Sequence, residues 1–314
     1  MTDTSKALGR GSVSLRLYPH LELDAPGIVS ELLEQGRLAE QVGFDGVMVS
    51  EHHNGFGGYL PNPIQATGWL LDVTQRIWAA PCPLLLPLRP AAMVAEEIAW
   101  LAARFPDRVA LGLAAGSLED DFTLMGLTKD DLTQRFADAM ATVSAMLLGR
   151  DAGALSEDAA VRRCREHPVP VVSAAMSPAA CRRAAAAGVG LLFDSLTTVQ
   201  RCRELADVYR ESGGSGPVVL IRRVASRAAP AERQQQQREF YESYASSAAA
   251  AHWGESEQAA GDADAVAEAL TTQARAVGAD CLNVRVHSAG MTIAEARDQI
   301  AGLADVLPLL RSAS

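Results

Sequence analysis

A glutamate followed by two histidines, Glu51-His52-His53, stands where the short apolar run 46–50 gives way to a polar loop. An imidazole titrates near neutrality, and a neighbouring carboxylate can orient it or balance its charge, so the triplet has the parts of an acid/base centre. Gly55, Gly57 and Gly58 follow. They let the backbone turn sharply and come close to a ligand, and Pro61-Asn62-Pro63 then opens a helix. The alternative for the histidine pair is a hydrogen-bonded surface loop without chemistry. A metal site would need a third ligand, and the sequence has no His-Glu-x-x-His or similar helical spacing.

The elements that must hold this triplet alternate along the chain. Short apolar runs at 13–18, 46–50, 77–86, 109–114, 169–173, 189–193, 218–224 and 281–286 predict strands. Amphipathic stretches near 26–42, 61–74, 91–104, 131–148, 178–187, 197–212, 263–277 and 292–311 predict helices between them. Eight strand-helix units predict a (β/α)8 TIM barrel, with Glu51-His52-His53 at the strand ends where such barrels do chemistry. An open doubly wound sheet would normally carry a glycine-rich turn after its first strand. Here that turn reads Pro19-His20-Leu21-Glu22. A chain of 314 residues fits one such domain over 13–314, preceded by a polar leader at 1–12 that is expected to be disordered. The stretch 226–261, with four consecutive glutamines and an alanine run, reads as an insertion before the seventh helix, either a lid over the site or a solvated excursion.

Composition narrows the function classes. A formal net charge of -10 argues against nucleic acid as a partner. No apolar run reaches the length of a membrane span, so no membrane partner is expected. Cys82, Cys164, Cys181, Cys202 and Cys281 are odd in number and scattered, which is neither a disulfide framework nor a zinc site and points to a reducing cytoplasm.

Glu51-His52-His53 with its glycine loop and Asn62-Pro63 resembles the bacterial luciferase-like flavin-dependent monooxygenases, whose second strand ends in Glu-His-His. The resemblance continues through Leu86-Pro87-Leu88-Arg89-Pro90 and Ala95-Glu96-Glu97, similar to the family's leucine-proline turn and the helix after it, with one residue fewer before Pro90. Asp107-Arg108 to Leu113 resembles its next strand, which usually opens with Gly-Arg. Val171-Val172-Ser173, Ser177-Pro178 and the segment 261–270 are similar to later family segments, so nearly the whole chain is covered.

The resemblance implies a luciferase-like barrel that uses reduced FMN, supplied by a separate reductase, and O2 to oxygenate a small or medium apolar organic substrate, as a homodimer. Catalysis falls to His52 as acid/base, with Glu51 steadying it or binding a nearby loop and His53 behind them. Acid/base help of this kind is worth about 100- to 10,000-fold in rate. The flavin ring would rest on a bulge at Pro81-Cys82-Pro83, where Cys82-Pro83 is the natural place for a cis bond. The cofactor's phosphate end would meet Ala115 and Ser117 after the fourth strand, and Ala174, Ala175, Met176 and Ser177 before the fifth helix. Here the chain departs from the family: Ala115 stands where an arginine is usual, and Ser177 alone offers a hydroxyl in the second segment. Helix-start amides would then hold the phosphate unaided. The same departures suit F420 in a hydride-transfer oxidoreductase of the same superfamily, or a noncatalytic flavin-binding or partner subunit.

Overall fold

A computed structural model describes residues 6–227, 258–288 and 290–312, together with Gln235, Gln236, Glu239 and Glu242. Parallel strands form a nearly closed barrel of eight staves. They are β1 (Val13–Arg16), β2 (Gly46–Val49), β3 (Trp78–Pro81) with its continuation β4 (Leu84–Leu85), β5 (Leu111–Ala114), β6 (Val171–Ala174), β7 (Gly190–Phe193) and β8 (Val218–Ala225). After the two-residue β9 (Ala259–Ala260), which pairs with β8 outside the ring, β10 (Cys281–Arg285) is the last stave. It lies between β8 and β1, so Leu15 of β1 stands level with Val284 on one side and Val47 on the other. The third and fourth staves meet through β4 and β5 and through a single Ala79–Val109 bridge.

The helices wrap the outside: α1 (Ala25–Val42), α2 (Pro63–Val73), α3 (Ala91–Arg104), α4 (Glu119–Leu124), α5 (Leu132–Leu147), α6 (Ala159–Arg163), α7 (Pro178–Ala187), α8 (Val199–Glu211), α9 (Ala263–Val277), α10 (Ile293–Ala301) and α11 (Val306–Ser312). Their starts are set by side-chain caps. Asp24, Asn62, Ser177, Thr198, Asp262 and Thr292 each accept a hydrogen bond from a first-turn amide, which satisfies donors the helix cannot.

The period-two alternation of each strand divides its side chains between two cores. Outward residues such as Leu15, Val47, Leu84 and Leu111 pack under the helices with Leu32, Leu70 and Ile98. Inward residues such as Met48, Trp78, Cys82, Val172 and Val219 fill the barrel. Each fully buried leucine of this kind contributes roughly 2 kcal/mol. Gly112 of β5 belongs to the inner layer because a Cβ there would run into the Cys82 side chain.

Four differences from the sequence reading have physical reasons. The strand expected at 77–86 is two pieces, β3 on β2 and β4 on β5, because the stave changes its pairing partner at Cys82-Pro83. The helix expected at 292–311 is also two, α10 and α11, with Gly302 closing the first. The short α4 and α6 fall in stretches with too little periodicity to predict. Within the expected leader at 1–12, residues 6–12 are packed rather than loose: Ala7 and Leu8 are buried at the floor of the inner core, and the Ala7 amide donates to the Asp107 carbonyl at 2.8 Å. Most of the expected insertion at 226–261 lies outside the described residues. Among the described residues no helix is long and apolar enough to cross a membrane.

Candidate active site

At the carboxyl ends of the staves a cavity of about 400 Å³ opens, with Arg16, His52, Pro83, Ala115, Met176 and Arg285 in its wall. Its volume is in the range of small-ligand sites. Strand ends and the first residues of the following loops supply every one of these groups, so the barrel itself sets their spacing.

His52 stands at the end of β2 with its side chain 14% exposed. Its Nδ1 meets Asp121 Oδ2 at 2.8 Å, and Asp121 Oδ1 accepts the His53 amide at 3.0 Å. One carboxylate from α4 thus clamps both the ring and the backbone of the loop. Burial alone would raise the Asp121 carboxyl, but the hydrogen bond and charge of His52 and the His53 amide outweigh it and hold the carboxyl below its ordinary range. An ionised Asp121 requires the proton on Nδ1, which leaves Nε2 as the ring nitrogen that can exchange a proton with a ligand. Phe56 and Tyr59 pack around the ring at 4.7 and 4.6 Å between centroids, shielding the histidine from water.

Glu51 does not touch His52. Of its two expected roles it takes the second, binding the neighbouring loop: its fully buried carboxylate accepts the Leu85 amide at 2.7 Å, Arg89 Nη1 at 2.5 Å and His53 Nε2 at 3.1 Å. The carboxylate that steadies His52 is Asp121, which the sequence reading missed. Its only signal was the acidic run Glu119-Asp120-Asp121 ahead of the fully buried Phe122, which marks one turn of helix with a buried face.

The expected cofactor residues divide. Pro83 lines the cavity beside the cis bond, whereas the Cys82 side chain turns into the inner core, where burial pushes its thiol up to about 12 against the pull of Arg16. Cys82 offers the site its backbone only, and that carbonyl already accepts Arg16 Nη1 at 3.0 Å and Ser50 Oγ at 3.1 Å. Ala115, Ser117, Ala174 and Met176 line the cavity. Ala175 lies beneath it, fully buried, and the Ser177 hydroxyl is committed to capping α7 through the Ala180 amide at 3.2 Å. Lys129 brings an ammonium to this end of the site, 2.8 Å from the Ser117 carbonyl.

Arg16 and Arg285 are further cavity residues that the sequence reading missed, although each is a charge closing a short buried strand. Arg16 is 6% exposed, and among the described residues its Nη2 has no hydrogen-bond partner. Arg285 lies over the Tyr18 ring at 4.6 Å. Burial, reinforced by the charge of Arg16, holds the Arg285 guanidinium well below its ordinary value. Small alanines at 114, 115 and 174 and apolar walls at Leu85, Leu192 and Ile221 leave a slot suited to a planar aromatic ring, with Arg16 as a donor to its polar edge. The residues present therefore fit a flavin ring. Ala115 stands in the wall at the position where the family usually has an arginine, and Lys129 reaches the carbonyl of the lining Ser117.

The family model of the luciferase-like monooxygenases matches residues 14–307. An F420-dependent glucose-6-phosphate dehydrogenase of Microbacterium testaceum is 30% identical over 178 residues, 53% of this chain and 53% of its own, so the chain matches about half the length of that relative. Among solved structures, a monooxygenase from Streptomyces bottropensis superposes with a TM-score of 0.78 at 20% identity, covering 95% of this chain and 98% of its own. The oxygenating constituent of 3,6-diketocamphane monooxygenase from Pseudomonas putida, solved with FMN, gives a TM-score of 0.73 at 18% identity over 95% and 98%. Matched across nearly its whole length, the chain belongs to the luciferase-like monooxygenase family.

Proposed function

We propose that the protein is a flavin-dependent monooxygenase that receives reduced FMN from a separate reductase and oxygenates a small or medium organic substrate. The observation that carries this reading is His52, fixed by Asp121 and facing the same cavity as Pro83. Bound reduced flavin supplies the electrons that activate oxygen. His52 Nε2 takes or gives the proton that oxygen transfer to substrate requires. Pro83 and the apolar walls orient the ring and substrate, while Phe56 and Tyr59 keep water from the histidine. The test mixes purified protein with reduced FMN and oxygen. Tight binding and a changed rate of flavin reoxidation are expected, and reoxidation at the rate of free flavin would sink the reading.

F420-dependent hydride transfer is the second reading, favoured by Ala115 at the usual arginine position and by the F420-dependent relative. Parallel titration with reduced FMN and F420 decides between them. The five cysteines are all buried and unpaired, in keeping with a cytoplasmic protein. A homodimer is proposed as the assembly, supported by Trp69 on α2 and Met93 and Trp100 on α3, large apolar side chains that are exposed in the single chain.

A further inference from the structure

We infer that the floor of this cavity is a binding site for a delocalised monoanion, held by Arg16 and Arg285. The inference rests on the reading of the cavity as the reaction site and adds the charge of what sits there. Arg16 donates through Nε to Asn283 Oδ1 at 3.0 Å and through Nη1 to Ser50 Oγ and to the Cys82 carbonyl at 3.0 Å. All three acceptors are neutral, so among the described residues a guanidinium only 6% exposed has no carboxylate to balance it, and its Nη2 has no hydrogen-bond partner. A second guanidinium, Arg285, lines the same cavity at 5% exposure. Two like charges in a poorly solvated floor repel: burial first, and then the charge of Arg16, lowers the Arg285 guanidinium.

The carboxylates in the cavity wall are engaged elsewhere. Glu51 is taken by Arg89 and His53, and Asp194 Oδ1 accepts the Leu196 and Thr197 amides at 2.8 and 2.7 Å. A buried cation without a counter-charge is costly, and a bound anion would remove that cost. Nη2 of Arg16 and the guanidinium of Arg285 in the same wall suit an anion whose charge is shared over adjacent atoms, and the apolar Leu85, Leu192 and Ile221 suit a hydrocarbon or aromatic body attached to it. Two sources have this chemistry: the carboxylate of a substrate, and the anionic pyrimidine edge of a reduced flavin.

Calorimetric titration of the purified apoprotein tests this with two matched pairs. Octanoate is compared with octanol, and, under anaerobic conditions, reduced FMN with oxidised FMN. At least one anionic member is expected to bind tenfold or more tightly than its partner, a difference of about 1.4 kcal/mol. R16M should abolish that preference. Preference in the octanoate pair assigns the floor to a carboxylate substrate, and preference in the FMN pair alone assigns it to the flavin. Equal affinities within both pairs in the wild-type protein would overturn the inference whether or not the variant folds. A preference that survives in folded R16M would overturn it as well. Failure of the oxygenase reading shows separately, as unaltered flavin reoxidation in a protein that still binds the anion.

Discussion

His52 depends on a carboxylate that decides where its proton sits. With Asp121 at 2.8 Å from Nδ1, the ring is held in one tautomer and any cation formed during proton transfer is stabilised. D121N keeps the shape and removes the charge, so turnover should fall by about 10- to 100-fold, against the 100- to 10,000-fold range expected for H52A. Equal activity of D121N and wild type across pH 6–9 would show that Asp121 has no part in the chemistry. The same pair has an acid signature. Because the Asp121 carboxyl is held low in the folded protein, it contributes stability that is present above the ordinary value of 3.8 and disappears as pH falls through the folded value. His287 titrates across a wider window. Burial first, then the charges of Arg285 and His20, push it from 6.5 to about 3. Between those values the unfolded chain holds a proton that the folded one refuses, so stability declines as pH drops from 6.5 toward 3. In H287F, which keeps an aromatic face for the stacked Tyr18 at 4.5 Å, urea midpoints measured through that window should decline less steeply than in wild type.

Among the elements, the end of β2 is the one under most constraint, since its loop must deliver His52 to the cavity while the Glu51 carboxylate holds Leu85 and Arg89. The buried Glu51–Arg89 pair ties that loop to the turn after β4, and the Leu85 amide adds a third point. Removing Arg89 leaves Glu51 buried with only His53 to balance it, so R89M should cost about 3 kcal/mol, at the low end for a broken buried pair because Arg89 is partly exposed. Urea denaturation checks this, and a loss under 1 kcal/mol would mean His53 alone suffices. The staves were legible in sequence because each is a short apolar run, and Glu51-His52-His53 because its members are adjacent. Asp121 was hidden because it meets His52 across 69 residues and rides on a six-residue helix with little periodicity. Arg16 was hidden for a similar reason: its partner Asn283 is 267 residues away, and only ring closure brings β1 beside β10. Asp107 shows a local rule bent by context. At φ +62° it occupies the left-handed region where the resembling family usually has glycine, a conformation aspartate tolerates better than most side chains. Ala7 and Leu8 went unseen because two apolar residues make no pattern, yet they close the barrel floor.

For the whole molecule, the question is what covers the flank formed by α2 and α3. Trp69 is 38% exposed, Met93 51% and Trp100 56%, on two helices that contact each other. Single apolar side chains on a surface need no explanation, but three large ones on neighbouring helices are the composition of a contact surface. A second copy using the same flank would bury them in a closed two-fold pair. Light scattering should then give a mass near twice the 33.2 kDa of the chain, and the melting midpoint should rise with protein concentration. M93E should shift the mass toward the monomer and remove the concentration dependence. W100E alone would be a poorer test, because Trp100 Nε1 also donates to Asp158 Oδ2 at 3.0 Å and anchors α3 to the cap of α6. Since His52, Pro83 and Arg16 all belong to strand ends at the barrel mouth, monomeric M93E should still bind reduced flavin if it is folded. A 33.2 kDa wild-type mass at every concentration tried would rule the pair out and leave the flank to a different partner.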